Sequence, residues 1–410
     1  MTIRLLSFNL LIALLVAGCS WTDTLRQFGA IETRALLKGQ VEGLTSDSTT
    51  YVVVSSADAD KPQLVQRQAV EGEGHYQFHL LPGRYHLGAF TDLNNDAIYQ
   101  ADEPAAYIRA KSGAPRELIV EGGSETSLEL LDASKPLSAS ERPDINVDIS
   151  SIDPNLGQIT SLNDPRFSPK NARSGFSRPL SHIKNTTGGL MFLDEYDPDK
   201  TPVLFVHGIK GTARSFESII DSLDRSQFQV WVYQYPSGLP LKVTSDYLSK
   251  ALRELHNQHG FNELMIVAHS MGGLITRQFI LEHANSADTY SIPAAITINS
   301  PLLGLKSAAS GVRYSPVVAP VWRDIAAGSA FIEGLHSRDW PPGTEYTLVA
   351  SFLRGQSNDG VIPFASQVSQ ALQKEATFFY VFEDEHTAIL RNDDLMERIK
   401  MSLERATSDF

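Results

Sequence analysis

The chain of 410 residues is short of three things. It has one cysteine, Cys19, so it can form neither an internal disulfide nor a cysteine-based zinc site. Its N-terminal apolar run, Leu10–Ala17 (LLIALLVA), falls far below the ~20 residues that a membrane-spanning helix needs. It is also short of positive charge. Lys and Arg total 35 against 48 Asp and Glu, for a net charge of −13. No basic run offsets that balance, which argues against nucleic-acid binding through phosphate contacts. The remaining composition is ordinary, 42% hydrophobic and 20% charged. At roughly 100–200 residues per domain, this predicts two folded domains with normal cores.

The lone cysteine gains meaning from its position. Arg4, the apolar run and Gly18 lead directly to it, in the pattern of a secretory signal. Val16-Ala17-Gly18-Cys19 resembles the lipobox of bacterial lipoprotein signals. That resemblance implies that residues 1–18 are removed, that Cys19 is acylated, and that the chain is held by lipid at a membrane of the bacterial cell envelope. Ser20, rather than Asp, then implies sorting to the outer membrane. The simpler alternatives are a plain signal peptide or a buried thiol. Residues 19–35 read as a tether or short helix.

From 36 to 133 apolar residues recur with period 2. Tyr51–Val54 is a β-branched run. Tyr76, Phe78 and Leu80 alternate with His75, Gln77 and His79, and after Pro82-Gly83 Tyr85, Leu87 and Ala89 alternate again. This predicts a hairpin with one wet face. Glu117–Leu131 adds two short strands across Gly122-Gly123. The region is expected to be a small β-sandwich. Its segment GHYQFHLLPGRYHLGAFTDLNNDAIYQADEPA resembles carboxypeptidase-regulatory or prealbumin-like modules, which implies an accessory role. Within it Asp92, Asn94, Asp96, the Ile98 carbonyl and Glu103 fall at positions 1, 3, 5, 7 and 12 of a calcium-loop pattern. Ala97 stands where that pattern has Gly. The alternatives are a structural calcium site and a set of Asx-turns between strands. His75, His79 and His86 lack a carboxylate at defined spacing and read as a solvated face rather than a zinc site.

Residues 134–160, with Pro136, Pro143 and Pro154, read as a linker. Residues 161–410 are expected to form the second domain, and from 190 on the rhythm becomes strand, turn, helix. Strands are expected at Val203–Val206, Gln229–Tyr233, Leu264–Ala268, Ala295–Ile298, Tyr346–Ala350 and Phe378–Phe382. Helices are expected at Ala213–Leu223, Ser245–His259, Met271–Ala284, Phe364–Leu372 and Leu395–Glu404. Such alternation predicts an α/β class fold, a doubly wound and mainly parallel sheet. Ligands of such sheets bind at the carboxyl ends of the strands.

Four strand ends carry candidate chemistry. Ile266–Leu274 (IVAHSMGGL) is a strand running into a turn and then a helix, with Ser270 flanked by the small residues Ala268 and Gly272. That is the context of a nucleophile elbow; taken alone, Ser270 could be an ordinary helix cap. Val203–Ile209 (VLFVHGI) ends in His-Gly about 60 residues earlier. Asp359-Gly360-Val361 follows the fifth strand and His386 follows the sixth. Order and spacing resemble the α/β-hydrolase superfamily in its lipase and esterase branch. The resemblance implies Ser270 as nucleophile, His386 as base, Asp359 as its orienting acid, and the amides of Ile209 and Met271 as the oxyanion hole. Asp384 is the alternative acid, and the His207 side chain reads as structural. No organic cofactor is implied. The expected activity is cleavage of acyl esters, with lipid-like substrates. Acyl transfer by the same residues, or a non-catalytic surface protein on a vestigial fold, are the rivals. Asn299–Thr344, with Val317, Val318, Trp322 and a helix-like Ile325–Leu335, reads either as a cap over an acyl pocket or as packing on the sheet.

Overall fold

A computed structural model describes the protein apart from residues 1–21, 46–47, 58–63, 71, 95, 97, 139–154, 185–187, 287 and 409–410. The signal segment, Cys19, Ala97 and most of the expected linker therefore lie outside the described residues. Residues 22–32 form a helix. Among the described residues no helix is long and apolar enough to cross a membrane. The chain divides into compact units, one spanning Arg26–Pro154 and the other containing Asn155–Phe410.

After the helix at 22–32 the first unit is built of β-strands. Strands β1 (Ala35–Glu42), β2 (Thr49–Ser56), β3 (Leu64–Val70), β4 (His75–Leu80), β5 (Gly83–Asp92), β6 (Ala105–Tyr107), β7 (Leu118–Val120), β8 (Glu125–Ser127) and β9 (Leu131–Asp132) form two sheets. One runs β4-β1-β8 with β9 on β1, the other β3-β2-β5-β6 with β7 on β5. The expected hairpin of β4 and β5 is not there: Pro82-Gly83 carries the chain from one sheet to the other. Tyr76, Phe78 and Leu80 and then Tyr85, Leu87 and Ala89 all contribute to one core. Two apolar faces joined by a short turn are buried together when they face each other, whereas pairing edge to edge would leave both in need of a cover. The same switch recurs between β7, on β5, and β8, on β1.

In the second unit β10 (Gly189–Phe192), β11 (Thr201–Val206), β12 (Phe228–Gln234), β13 (Met265–His269), β14 (Ala294–Ile298), β15 (Glu345–Phe352) and β16 (Phe378–Glu383) form one sheet, ordered β10-β12-β11-β13-β14-β15-β16. All pairs are parallel except β10–β12. The central strands are buried along their whole length, which requires helices on both faces. On one face Leu395, Ile399, Leu403 and Ala406 of helix Asp393–Ser408 join Phe216, Ile219 and Ile220 over the sheet. Their spacing of three to four is the helical stripe. Helix Leu241–His259 ends at Gly260, whose left-handed φ of 66° lets its N–H bond the His256 carbonyl at 2.7 Å.

Three sequence expectations need correction here. The edge strand β10 and helices Pro169–Ser177 and Pro179–Lys184 were not anticipated. Residues 155–160 are not linker, because Gly157 and Thr160 donate to the Leu190 and Phe192 carbonyls and Asn155 donates to Gly188. The expected helices at 364–372 and 325–335 are each broken, by Val368-Ser369 and by Ala326–Ser329. Ser369 and Ser329 cap the helices that follow.

Phe78 is about 1% exposed at the centre of the first unit's core. Phe78→Ala is expected to destabilise that unit by about 3–5 kcal/mol, read as a lowered urea midpoint. An unchanged midpoint would show that the two faces do not share a core.

Candidate active site

The parallel register brings the strand ends together. Val206 lies opposite Ala268, and His269 opposite Ile298. The residues that follow therefore leave the sheet side by side. Among the described residues three non-glycine positions have positive φ: Lys210 (53°), Ser270 (55°) and Asn299 (48°). Each lies just past the carboxyl end of a central strand. Such backbone costs on the order of 1–3 kcal/mol per residue, and it persists where surrounding bonds over-determine it. Ser270 N–H donates to Ile298 O at 2.8 Å, and Lys210 N–H donates to Ser237 Oγ at 3.0 Å.

The glycines around Ser270 are there for space. A Cβ on Gly272 would overlap the Val206 carbonyl oxygen, and one on Gly208 would lie 2.7 Å from Ser270 Cβ. The first lets helix Gly272–His283 start against the end of β11. The second leaves room for the serine side chain.

Ser270, His386 and Asp359 lie in one hydrogen-bonded chain. His386 Nδ1 is 2.7 Å from Asp359 Oδ2, and His386 Nε2 is 3.0 Å from Ser270 Oγ. A carboxylate can only accept, so Nδ1 carries the proton and Nε2 is left to accept from the serine hydroxyl. Asp359 is fully buried. Its Oδ1 accepts from the amides of Val361 and Ile362 at 2.9 and 2.6 Å, and its Oδ2 also accepts from Gln367 Nε2 at 3.3 Å. The His386 amide donates to the Asp359 carbonyl at 2.8 Å, which joins the two loops through the backbone as well. Asp384, the alternative acid, faces away: it accepts from Asn392 Nδ2 and from the Glu385 amide. Among the described residues no acceptor takes the amide hydrogens of Ile209 or Met271. Ile209 follows Gly208, which lies against the serine, and Met271 follows the serine itself.

Several residues that hold this arrangement were not singled out from the sequence. His269 Nε2 and Asn299 Nδ2 both donate to the His386 carbonyl, at 2.8 and 3.3 Å. Asn299 Nδ2 also donates to Ser351 Oγ, and Gln367 bonds both the amide and the carbonyl of Ser351. Their one sequence signal was position at or after a strand end. His207 is structural in its contacts, as its sequence suggested. Its Nδ1–H donates to the Gly208 carbonyl at 2.8 Å, its ring stacks on Tyr235 at 4.2 Å, and the Tyr235 hydroxyl bonds its carbonyl. Burial pushes the imidazoles of His207 and His182 down to about 4 and that of His269 down to about 3.

In the cap segment, Leu302, Val321, Ile325, Ile332 and Leu335 are buried. Val317, Val318 and Trp322 are half-buried, and Trp322 packs near Phe176 with ring centroids 6.4 Å apart.

The calcium-loop carboxylates bond the backbone of their own loop. Glu103 accepts from the amides of Leu93 and Gln100, Asp92 from that of Asp96, and Asp96 from that of Ile98. The carboxylates cap the loop's own backbone, in the manner of Asx-turns. Among the described residues no group of three or more His, Cys, Asp or Glu is placed to hold a metal ion.

Residues 201–317 match a family model described as alpha/beta hydrolase fold. The sheet order and the strand-to-helix turn at Ser270 agree with it. The second unit has the α/β-hydrolase fold. No curated protein sequence matches the chain. Among solved structures, Bacillus licheniformis lipase BlEst2 is similar over 52% of this chain and 97% of its own, with 17% identity and a TM-score of 0.42. Est1E from Butyrivibrio proteoclasticus is similar over 53% and 93%, at 13% identity and a TM-score of 0.39. A Listeria innocua protein, the lin2722 product, is similar over 50% and 94%, at 16% identity and a TM-score of 0.40.

The depressed imidazoles make stability depend on pH with a definite sign. In the unfolded chain a histidine titrates near about 6.5. As the pH falls below that value the unfolded state binds protons that the folded state refuses. Stability is therefore full above about pH 6.5. It is lost at on the order of 1 kcal/mol per pH unit per buried imidazole down to the folded values. Urea midpoints are expected to fall between pH 7 and 5, and to fall less steeply in His207→Asn. A flat profile in the wild type would show that these imidazoles are not held neutral.

Proposed function

We propose that the protein is a serine ester hydrolase that cleaves lipid-like acyl esters. The observation that carries this reading is the hydrogen-bonded chain from Ser270 Oγ through His386 to Asp359. Ser270 attacks the ester carbonyl while His386 Nε2 takes its proton. The tetrahedral oxyanion is met by the amides of Ile209 and Met271, at the positive end of the helix that starts at Gly272. His386 then returns the proton to the leaving alcohol, and Asp359 stabilises the imidazolium. Water hydrolyses the acyl-enzyme in a second round of the same transfers. Transfer of the acyl group to an alcohol in place of water is the second reading for the same residues. Lipid attachment through Cys19, an outer-membrane location, and an accessory role for the first unit complete the proposal on sequence grounds alone.

Turnover of p-nitrophenyl acyl esters of several chain lengths tests it. Ser270→Ala is expected to lower kcat by about 10⁶-fold and Asp359→Asn by about 10⁴-fold. A fluorophosphonate is expected to label Ser270 and no other residue. Equal rates in wild type and Ser270→Ala, or a label elsewhere, would refute the assignment.

A further inference from the structure

Lys210 lies in the loop whose Ile209 amide is assigned to the oxyanion, and nothing above gives it a task. Its backbone is held at φ 53° with its N–H tied to Ser237 Oγ, so the direction in which its side chain departs is set. Its Cα lies within about 7.6 Å of that of Gly208, the glycine against Ser270. The ammonium sits 4.5 Å above the ring of Phe176. A cation lying on an aromatic face keeps its charge while part of its water is removed.

Phe176 belongs to helix Pro169–Ser177, which is seated on the turn after β12: Gly238 N–H donates to the Gly175 carbonyl at 3.0 Å. That turn leaves the carboxyl edge of the sheet, where Ser270 lies. The charge of this helix is anomalous. Residues 165–193 contain five Lys or Arg and no Asp or Glu, in a chain of net charge −13. Arg166 pairs with Asp164. Lys170, Arg173, Arg178 and Lys210 are exposed, and none has an ion-pair partner among the described residues. Arg173 is one turn before Phe176, hence on the same helix face. Lys210 thus lies on this ring and Arg173 departs from the helix one turn before it, and among the described residues neither is paired with a carboxylate. A protein rich in Asp and Glu could have neutralised this edge, and it does not.

We infer that Lys210, with Arg173 on the same face of the helix that carries Phe176, binds an anionic group, a carboxylate or a phosphate, carried by the ester substrate near its scissile bond. This rests on the hydrolase reading and narrows its substrate to negatively charged acyl esters. Lys210 is then a specificity-determining residue. It steers and holds the charged part of the substrate while Ser270 and His386 act on the ester.

The test uses two matched pairs of soluble substrates, each below its aggregation concentration. One pair places the charge on the acyl side, p-nitrophenyl hemiglutarate against p-nitrophenyl valerate. The other places it on the alcohol side, a short-chain monoacyl glycerol 3-phosphate against the same monoacyl glycerol. The readout is the ratio of kcat/KM, charged over neutral, so that the neutral ester reports any general damage to the loop. In at least one pair, Lys210→Gln is expected to lower the ratio about five- to tenfold, chiefly through KM, and Lys210→Glu to lower it further. Lys210→Arg is expected to retain it, and added salt to reduce it in the wild type. Ratios unchanged in both pairs, with neutral esters turned over, overturn this inference and leave the hydrolase reading standing. A preference for charged substrate seen only in vesicles overturns it in favour of a contact with the membrane surface. If the wild type turns over no ester and takes no fluorophosphonate label, the hydrolase reading falls and this inference with it.

Discussion

The candidate site is built around the strained backbone of Ser270, whose amide donates to the Ile298 carbonyl. That bond holds a non-glycine residue in the left-handed region, and the chain can then reverse from β13 into its helix within one residue. The reversal needs room on both sides, supplied by Gly272 against Val206 and by Gly208 against the serine itself. Fully buried parallel strands make that room available, because their ends are in register and cannot drift. The strain at Ser270, and at its neighbours Lys210 and Asn299, is sustained by the packing of the whole sheet.

The polar groups behind the serine follow from the same constraint. The edge of a buried sheet leaves carbonyls and amides that need partners in a place water scarcely reaches. His269 and Asn299 satisfy the His386 carbonyl, and Gln367 satisfies Ser351. The first two also fix the His386 backbone, from which its ring reaches Asp359. Neutral imidazoles suit this place because each offers one donor and one acceptor without a charge to solvate. His207 uses both, toward Gly208 and Tyr235.

Much of the second unit was legible because strands and helices alternate and each strand is a short apolar run. Ser270, Asp359 and His386 could be named because each lies just past such a run, in the order that a doubly wound sheet places at one edge. The supporting residues could not. Asn299, Ser351 and Gln367 are ordinary polar residues whose partners are distant in sequence, and only the fold reveals them. Edge strand β10 was hidden by its length of four residues. In the first unit the alternation was read correctly and the pairing was not. Period 2 says which side of a strand is apolar, but it does not say whether the next strand lies beside it or across from it. The calcium-like spacing was open to two readings for a related reason. Oxygens at alternate positions serve a tight turn as well as they would serve a cation.

The candidate site draws on residues far apart along the chain, with 116 positions separating Ser270 from His386. Loops after β11, β13, β14, β15 and β16 all contribute. Contacts of such long range form late in folding, since loop closure must precede them. A chain still emerging from a ribosome therefore holds Ser270 without His386 beside it. The three side chains come together only when the last strand has docked, which ties assembly of the candidate site to completion of the fold.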